Sequence, residues 1–121
     1  MKRIAIIDDE QDVLNVLKKL FGRYEEFEVD TYVNSKEGFK ALQENEYDLL
    51  LLDVMMPEFN GLELLVELRK ENKDIIVIIM TAYNILEKSI EAHKYGANDY
   101  LEKPFKSIAH VKDKVFGELG L

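Results

Sequence analysis

Three stretches of the chain are apolar without alternation: Ile4 to Ile7, Leu49 to Leu52 and Ile75 to Met80. Continuous apolar runs of this length, bounded by turn residues, fit strands buried on both faces. They predict strands over Arg3 to Asp9, over Tyr47 to Asp53, and over Ile75 to Met80 ending at Thr81-Ala82. Phe27 to Val33 instead alternates Phe27, Val29, Thr31 and Val33 against Glu28, Asp30 and Tyr32, the pattern of a half-exposed strand. A short fifth strand, Asp99 to Glu102, runs into Lys103-Pro104. Between these, apolar residues fall at helical spacing. Val13, Leu14, Val16, Leu17, Leu20 and Phe21 form one stripe, with Gln11, Asn15, Lys18, Lys19 and Arg23 opposite. Ser35 is the expected N-cap of a helix over Lys36 to Asn45, its inward face Phe39, Ala41 and Leu42. Gly61 to Glu71 carries Leu62, Leu64, Leu65, Val66 and Leu68. Asn84 to Tyr95 is a weaker helix with Ile85, Leu86, Ile90 and Ala92, stopped at Gly96. Ser107 to Leu119 closes the chain through Ile108, Val111, Val115, Phe116 and Leu119.

Five strands thus alternate with five helices, and no linker, repeat or low-complexity segment interrupts them. Such alternation predicts an α/β fold, a parallel sheet with helices on both faces and right-handed crossovers. The first, third and fourth strands are the most apolar and belong in the centre; the second and fifth belong at the edges. The order 2-1-3-4-5 satisfies this and is one of the common doubly wound, flavodoxin-like arrangements. At 121 residues the chain has the length of one domain, residues 1–121, able to bury roughly two-thirds of its unfolded surface.

Composition removes several function classes. There is no cysteine, hence no disulfide framework, thiolate zinc site or cysteine nucleophile; this is compatible with a cytoplasmic location. No apolar stretch approaches the ~20 residues of a membrane span. A net charge of −8 argues against direct nucleic-acid binding and favours cationic partners or metal ions.

In a parallel sheet of this order, the carboxyl ends of the strands point one way and ligands bind at the switch point between strands one and three. Asp8 and Asp9 end strand one, Asp53 ends strand three, Thr81 ends strand four and Lys103 ends strand five. Each has an ordinary reading when taken alone. Asp53 fits a turn cap, Asp8-Asp9 a solvated helix start, Thr81 a β-branched strand residue and Lys103 an edge charge. Their arrival at one end of one sheet is what points to a site. Two like charges at ~4 Å repel by about 4 kcal/mol at an effective dielectric near 20. Three carboxylates therefore need compensation, from Lys103 and from a divalent ion. An all-oxygen site with open positions suits Mg²⁺. His93 and His110 both fall in expected helices and receive no role.

Three chemistries could use such a pocket. Phosphoryl transfer onto a carboxylate would use the metal to neutralise incoming oxygens, with Lys103 and the Thr81 hydroxyl as further partners. A metal-dependent, aspartate-based phosphatase is the alternative enzyme, but Met55 stands where its second carboxylate belongs. A flavin or nucleotide site would need Gly, Ser or Thr in the first loop, which instead carries Asp-Asp-Glu.

The segments IIDDE, LLLLDVMMPEFNGLELL, MTA and DYLEKPF together resemble the CheY-like receiver domain of bacterial two-component response regulators, across essentially the whole chain. The resemblance implies that Asp53 is the phosphoacceptor, supplied by the phosphohistidine of a sensor histidine kinase or phosphotransfer protein. It implies Mg²⁺ ligation by Asp9 directly, Asp8 through water, and Asp53 with the Met55 backbone carbonyl. Thr81 and Tyr100 match the family's switch pair, and Lys103-Pro104 its cis peptide. The Asn84–Tyr95 helix would join the fifth strand and last helix in a signalling face, and its small apolar stripe fits low local stability. Met55 and Tyr83 occupy the positions flanking the phosphoryl group. Both are large and neither is acidic or amide-bearing, so slow self-dephosphorylation is expected. Output falls to a downstream protein target or a covalently linked output domain. A stand-alone receiver, an excised one and a constitutive, unphosphorylated binding module are the forms to distinguish.

Overall fold

Strand and helix alternate along the chain as the hydropathy pattern requires. The computed structural model describes residues 1–71, 73–81 and 93–121. In order these form β1 (Lys2–Ile7), α1 (Gln11–Phe21), β2 (Phe27–Tyr32), α2 (Ser35–Glu44), β3 (Leu49–Asp53), α3 (Gly61–Lys70), β4 (Ile76–Thr81), β5 (Asp99–Glu102) and α4 (Ile108–Leu119). The expected Asn84–Tyr95 helix lies largely outside the described residues, although Gly96 does take the left-handed φ of 102° required of a helix stop. The five strands form one parallel sheet in the order β2-β1-β3-β4-β5. Among the described residues no helix is long and apolar enough to cross a membrane.

The continuous apolar runs divide their side chains between two cores. Ala5, Ile7, Leu50, Leu52, Val77 and Ile79 pack with Leu42 of α2 and Leu64, Leu65 and Leu68 of α3. Ile4, Ile6, Leu49, Leu51, Ile78 and Met80 pack on the other face with Leu14, Leu17 and Phe21 of α1 and Val111 and Val115 of α4. A strand with two apolar neighbours loses the polar/apolar alternation, which is why these runs show none.

Several expected details shift. β1 ends at Ile7, leaving Asp8 and Asp9 just beyond it. The α2 cap is Asn34, not Ser35: the Asn34 backbone is extended, and its side chain accepts from the N–H groups of Lys36 and Glu37. Asn caps as well as Ser, and the one-residue shift lets the small Ser35 turn inward and become buried. Ala41 is half-buried, while Gly38 takes a core position because a Cβ there would press on Ile7. Val16 and Ile108 are exposed, since α1 and α4 bury narrower stripes than their spacing allowed. Tyr32 is half-buried. Its ring packs on the α2/α3 core and its hydroxyl lies 3.0 Å from that of Tyr47, which donates to Asp30 at 2.6 Å.

The turn from β3 into α3 governs where Asp53 sits. Asn60 caps α3 in a reciprocal capping box with Glu63, and the Gly61 N–H donates to the Val54 carbonyl at 3.0 Å. A Cβ on Gly61 would collide with the Asp53 carbonyl oxygen and come within 2.8 Å of Val54 Cα. Both are backbone atoms and cannot swing aside. Gly61→Ala is therefore expected to lower stability by roughly 1–3 kcal/mol, read as a reduced urea midpoint with an unchanged denaturant slope.

Candidate functional site

Register brings the strand ends level. Ile7 is paired with Leu52, so Asp8 follows beside Asp53; Asp53 is paired with Met80, and Thr81 with Glu102, directly before Lys103. Asp8 is 0 % and Asp53 3 % exposed, and Thr81 is also buried. Lys103 follows β5 across a cis peptide to Pro104, its own N–H donating to the Thr81 carbonyl at 2.7 Å. Its ammonium lies 2.5 Å from Asp8 Oδ2, 3.2 Å from Glu10 Oε1 and 3.6 Å from Asp53 Oδ2.

One ammonium cannot compensate this many carboxylates. Burial, then the neighbouring Asp8 charge, push the Asp53 carboxyl up to about 7 against the pull of Lys103. Burial likewise raises Asp8 despite its contact with Lys103. Burial alone would pull the Lys103 ammonium down, but Asp8 and Asp53 hold it above its ordinary value. Asp8 Oδ2 is buried without a hydrogen-bond partner of good geometry among the described residues, and meets Lys103 as an ion pair. Carboxylate oxygens of Asp8, Asp9 and Glu10 lie within 4.8 Å of one another. Buried carboxylates short of positive charge in an oxygen-only cluster fit a hard divalent cation.

Glu10 is the residue that sequence reasoning left without a role. It stands at the α1 N-cap yet makes no side-chain cap bond, its carboxylate being turned to Lys103 instead. The uninterrupted Asp8-Asp9-Glu10 run was the available signal. Met55 donates its N–H to Asp53 Oδ1 at 3.2 Å while its side chain is half exposed. Tyr100 is exposed, its ring centroid 5.6 Å from the Lys114 ammonium, which in turn pairs with Asp99 at 2.8 Å. Tyr83 lies outside the described residues. His93 is exposed, and His110 serves α4 by donating its backbone N–H to Ser107.

Residues 4–115 match the response regulator receiver domain family. The chain belongs to that family. Among curated relatives, the response regulator SaeR of Staphylococcus aureus is 38% identical over 105 residues, covering 87% of this chain and 45% of that protein. The receiver domain thus spans about half the length of the curated relatives it matches. Of solved structures, the receiver domain of the Francisella response regulator 1452 superposes with a TM-score of 0.87 at 33% identity, covering 95% of this chain and 93% of that one. The Thermotoga maritima response regulator TrrA, determined with Mg²⁺ and BeF, gives 0.83 at 36% identity, covering 97% and 98%.

The crowding of charge in the receiver has a measurable sign. The Asp53 carboxyl holds its proton more tightly folded than unfolded, so stability falls as pH rises from about 4 to about 7 and the penalty is complete above that. Asp53→Asn removes the charge without removing the acceptor for Met55 N–H. In chelator it is expected to stabilise the fold by roughly 1–3 kcal/mol near pH 8 and by little near pH 4, measured by denaturant titration at both values.

Proposed function

We propose that residues 1–121 act as one phosphoacceptor receiver domain, with Asp53 taking a phosphoryl group from the phosphohistidine of a sensor histidine kinase or phosphotransfer protein. The observation that carries this reading is the buried Asp53 carboxylate sharing one lysine with Asp8 at the mouth of the sheet. An Asp53 oxygen attacks phosphorus, the N–P bond breaks, and its electron pair stays on the histidine ring. Asp8, Asp9, Asp53 and the Met55 carbonyl would hold Mg²⁺, whose chemistry there is neutralising charge on the phosphoryl oxygens. Lys103 exchanges Asp8 for a phosphoryl oxygen, and the Thr81 hydroxyl donates to another.

Drawing Thr81 toward the phosphoryl group frees space for the Tyr100 ring, which starts outside over Lys114. That rearranges the surface of β5 and α4, where a downstream protein target or a covalently linked output domain is engaged. The negative charge favours protein partners over nucleic acid. The chemistry is stoichiometric self-modification in the cytoplasm and not turnover of a substrate; Met55 in place of a second carboxylate disfavours the phosphatase reading.

Intact mass after treatment with a small-molecule phosphodonor and Mg²⁺ tests the proposal. The wild type is expected to gain one phosphoryl group and Asp53→Ala none; equal gain, or no gain, overturns it. The apolar Met55 side chain cannot orient an attacking water, so the phosphoryl group should outlast minutes. Met55→Asn is expected to shorten its half-life by roughly fivefold or more, followed by mass or by radiolabel loss; a wild-type half-life of seconds removes the basis for this.

A further inference from the structure

Of the four methionines, three are either shielded or remote from the site. Met56 is 7 % and Met80 0 % exposed, each packed in one of the two cores. Met1 is 84 % exposed but precedes β1, at the opposite end of the sheet from Asp53. Met55 is the methionine that combines exposure, 50 %, with a direct bond to Asp53 through its N–H. It lines an open cavity of about 440 Å³ with Val54, Met56, Pro57, Asn60 and Leu62, roomy enough for a small oxidant.

We propose that Met55 is an oxidation site, and that conversion of its thioether to the sulfoxide by a peroxide shortens the lifetime of the phosphoryl group on Asp53. The inference rests on the phosphoacceptor reading above. In the reaction a sulfur lone pair attacks one peroxide oxygen, the S–O bond forms and the O–O bond breaks. Sulfur is oxidised by two electrons, and the departing oxygen takes up the proton of the transferred one and leaves as water. The product replaces a flexible apolar side chain with a polar, chiral one bearing a strong acceptor. Two residues beyond Asp53, and with its own N–H on that carboxylate, the sulfoxide oxygen holds and orients a water that the thioether leaves unbound. The thioether state conserves the signal, and the sulfoxide state lets it decay.

Treatment with hydrogen peroxide followed by peptide mass mapping reads the first step. The second is read by loading oxidised and untreated protein with a small-molecule phosphodonor and Mg²⁺ and following phosphoryl loss. Met55 is expected to oxidise faster than Met56 and Met80, and the oxidised protein to lose its phosphoryl group at least about threefold faster. A methionine sulfoxide reductase should restore the slow rate. Met55→Leu, which keeps Met1, should show the same half-life with and without peroxide, whatever that value is. Met55→Gln, with an amide oxygen near the sulfoxide position, should be fast without oxidant. Oxidation of Met55 no faster than of the buried methionines, equal half-lives before and after oxidation, or a peroxide effect retained in Met55→Leu overturns the proposal. Failure of untreated wild type to take up a phosphoryl group overturns both readings, and is seen before any oxidant is added.

Discussion

Everything at the site depends on burying Asp8 and Asp53 side by side with too little positive charge. Two carboxylates that are 0 % and 3 % exposed share one ammonium, and Asp9 and Glu10 add further negative charge at the edge. Left to themselves these groups repel, and removing them from water costs more than one lysine returns. The resting domain is therefore strained electrostatically at one point. A divalent cation held there, as proposed above, would relieve that strain and so couple cation binding, charge at Asp53 and stability in one place.

Such an arrangement persists because the surrounding structure leaves no alternative. β1 and β3 are buried on both faces and locked in register through Ile7 and Leu52, so neither carboxylate can retreat. Val54 N–H is fixed to the Met80 carbonyl, Gly61 closes directly over the Asp53 backbone, and the Asn60–Glu63 box anchors the helix that follows. On the other side, Lys103 enters from the far edge of the sheet, its backbone tied to Thr81. The elements that carry the charges are thus the rigid ones, while Met55 and Tyr100, which set duration and readout in the proposed cycle, project into solvent. Rigidity holds the chemistry in place, and exposure makes its consequences adjustable.

The sheet order and the placement of most elements were legible because burial on two faces and burial on one leave different hydropathy patterns. The charged strand ends were legible for the same reason: a carboxylate ending an apolar run must emerge at a ligand-binding edge of a parallel sheet. Finer features were not. Asn34 and Ser35 are equally good caps in isolation, and the choice falls on whichever leaves the smaller residue facing the core. Val16 and Tyr32 were assigned by periodicity alone, yet one is exposed by the narrow contact of α1 and the other is covered by α2. Glu10 stands at the start of α1, where nothing local marks it, and acts as a partner to a lysine 93 residues away.

The sequence by itself determined the alternation of elements, the two-sided core and which residues end each strand, since these follow from local periodicity and turn chemistry. Tertiary structure alone decided that Lys103 stands nearer to Asp8 than to Asp53, that Glu10 joins it, and that of the methionines Met55 is the one left open beside Asp53. Those facts depend on register between strands and on packing of side chains from distant parts of the chain. Neither leaves a mark on local sequence, because the same residues at the same spacing are compatible with many arrangements until the sheet closes around them.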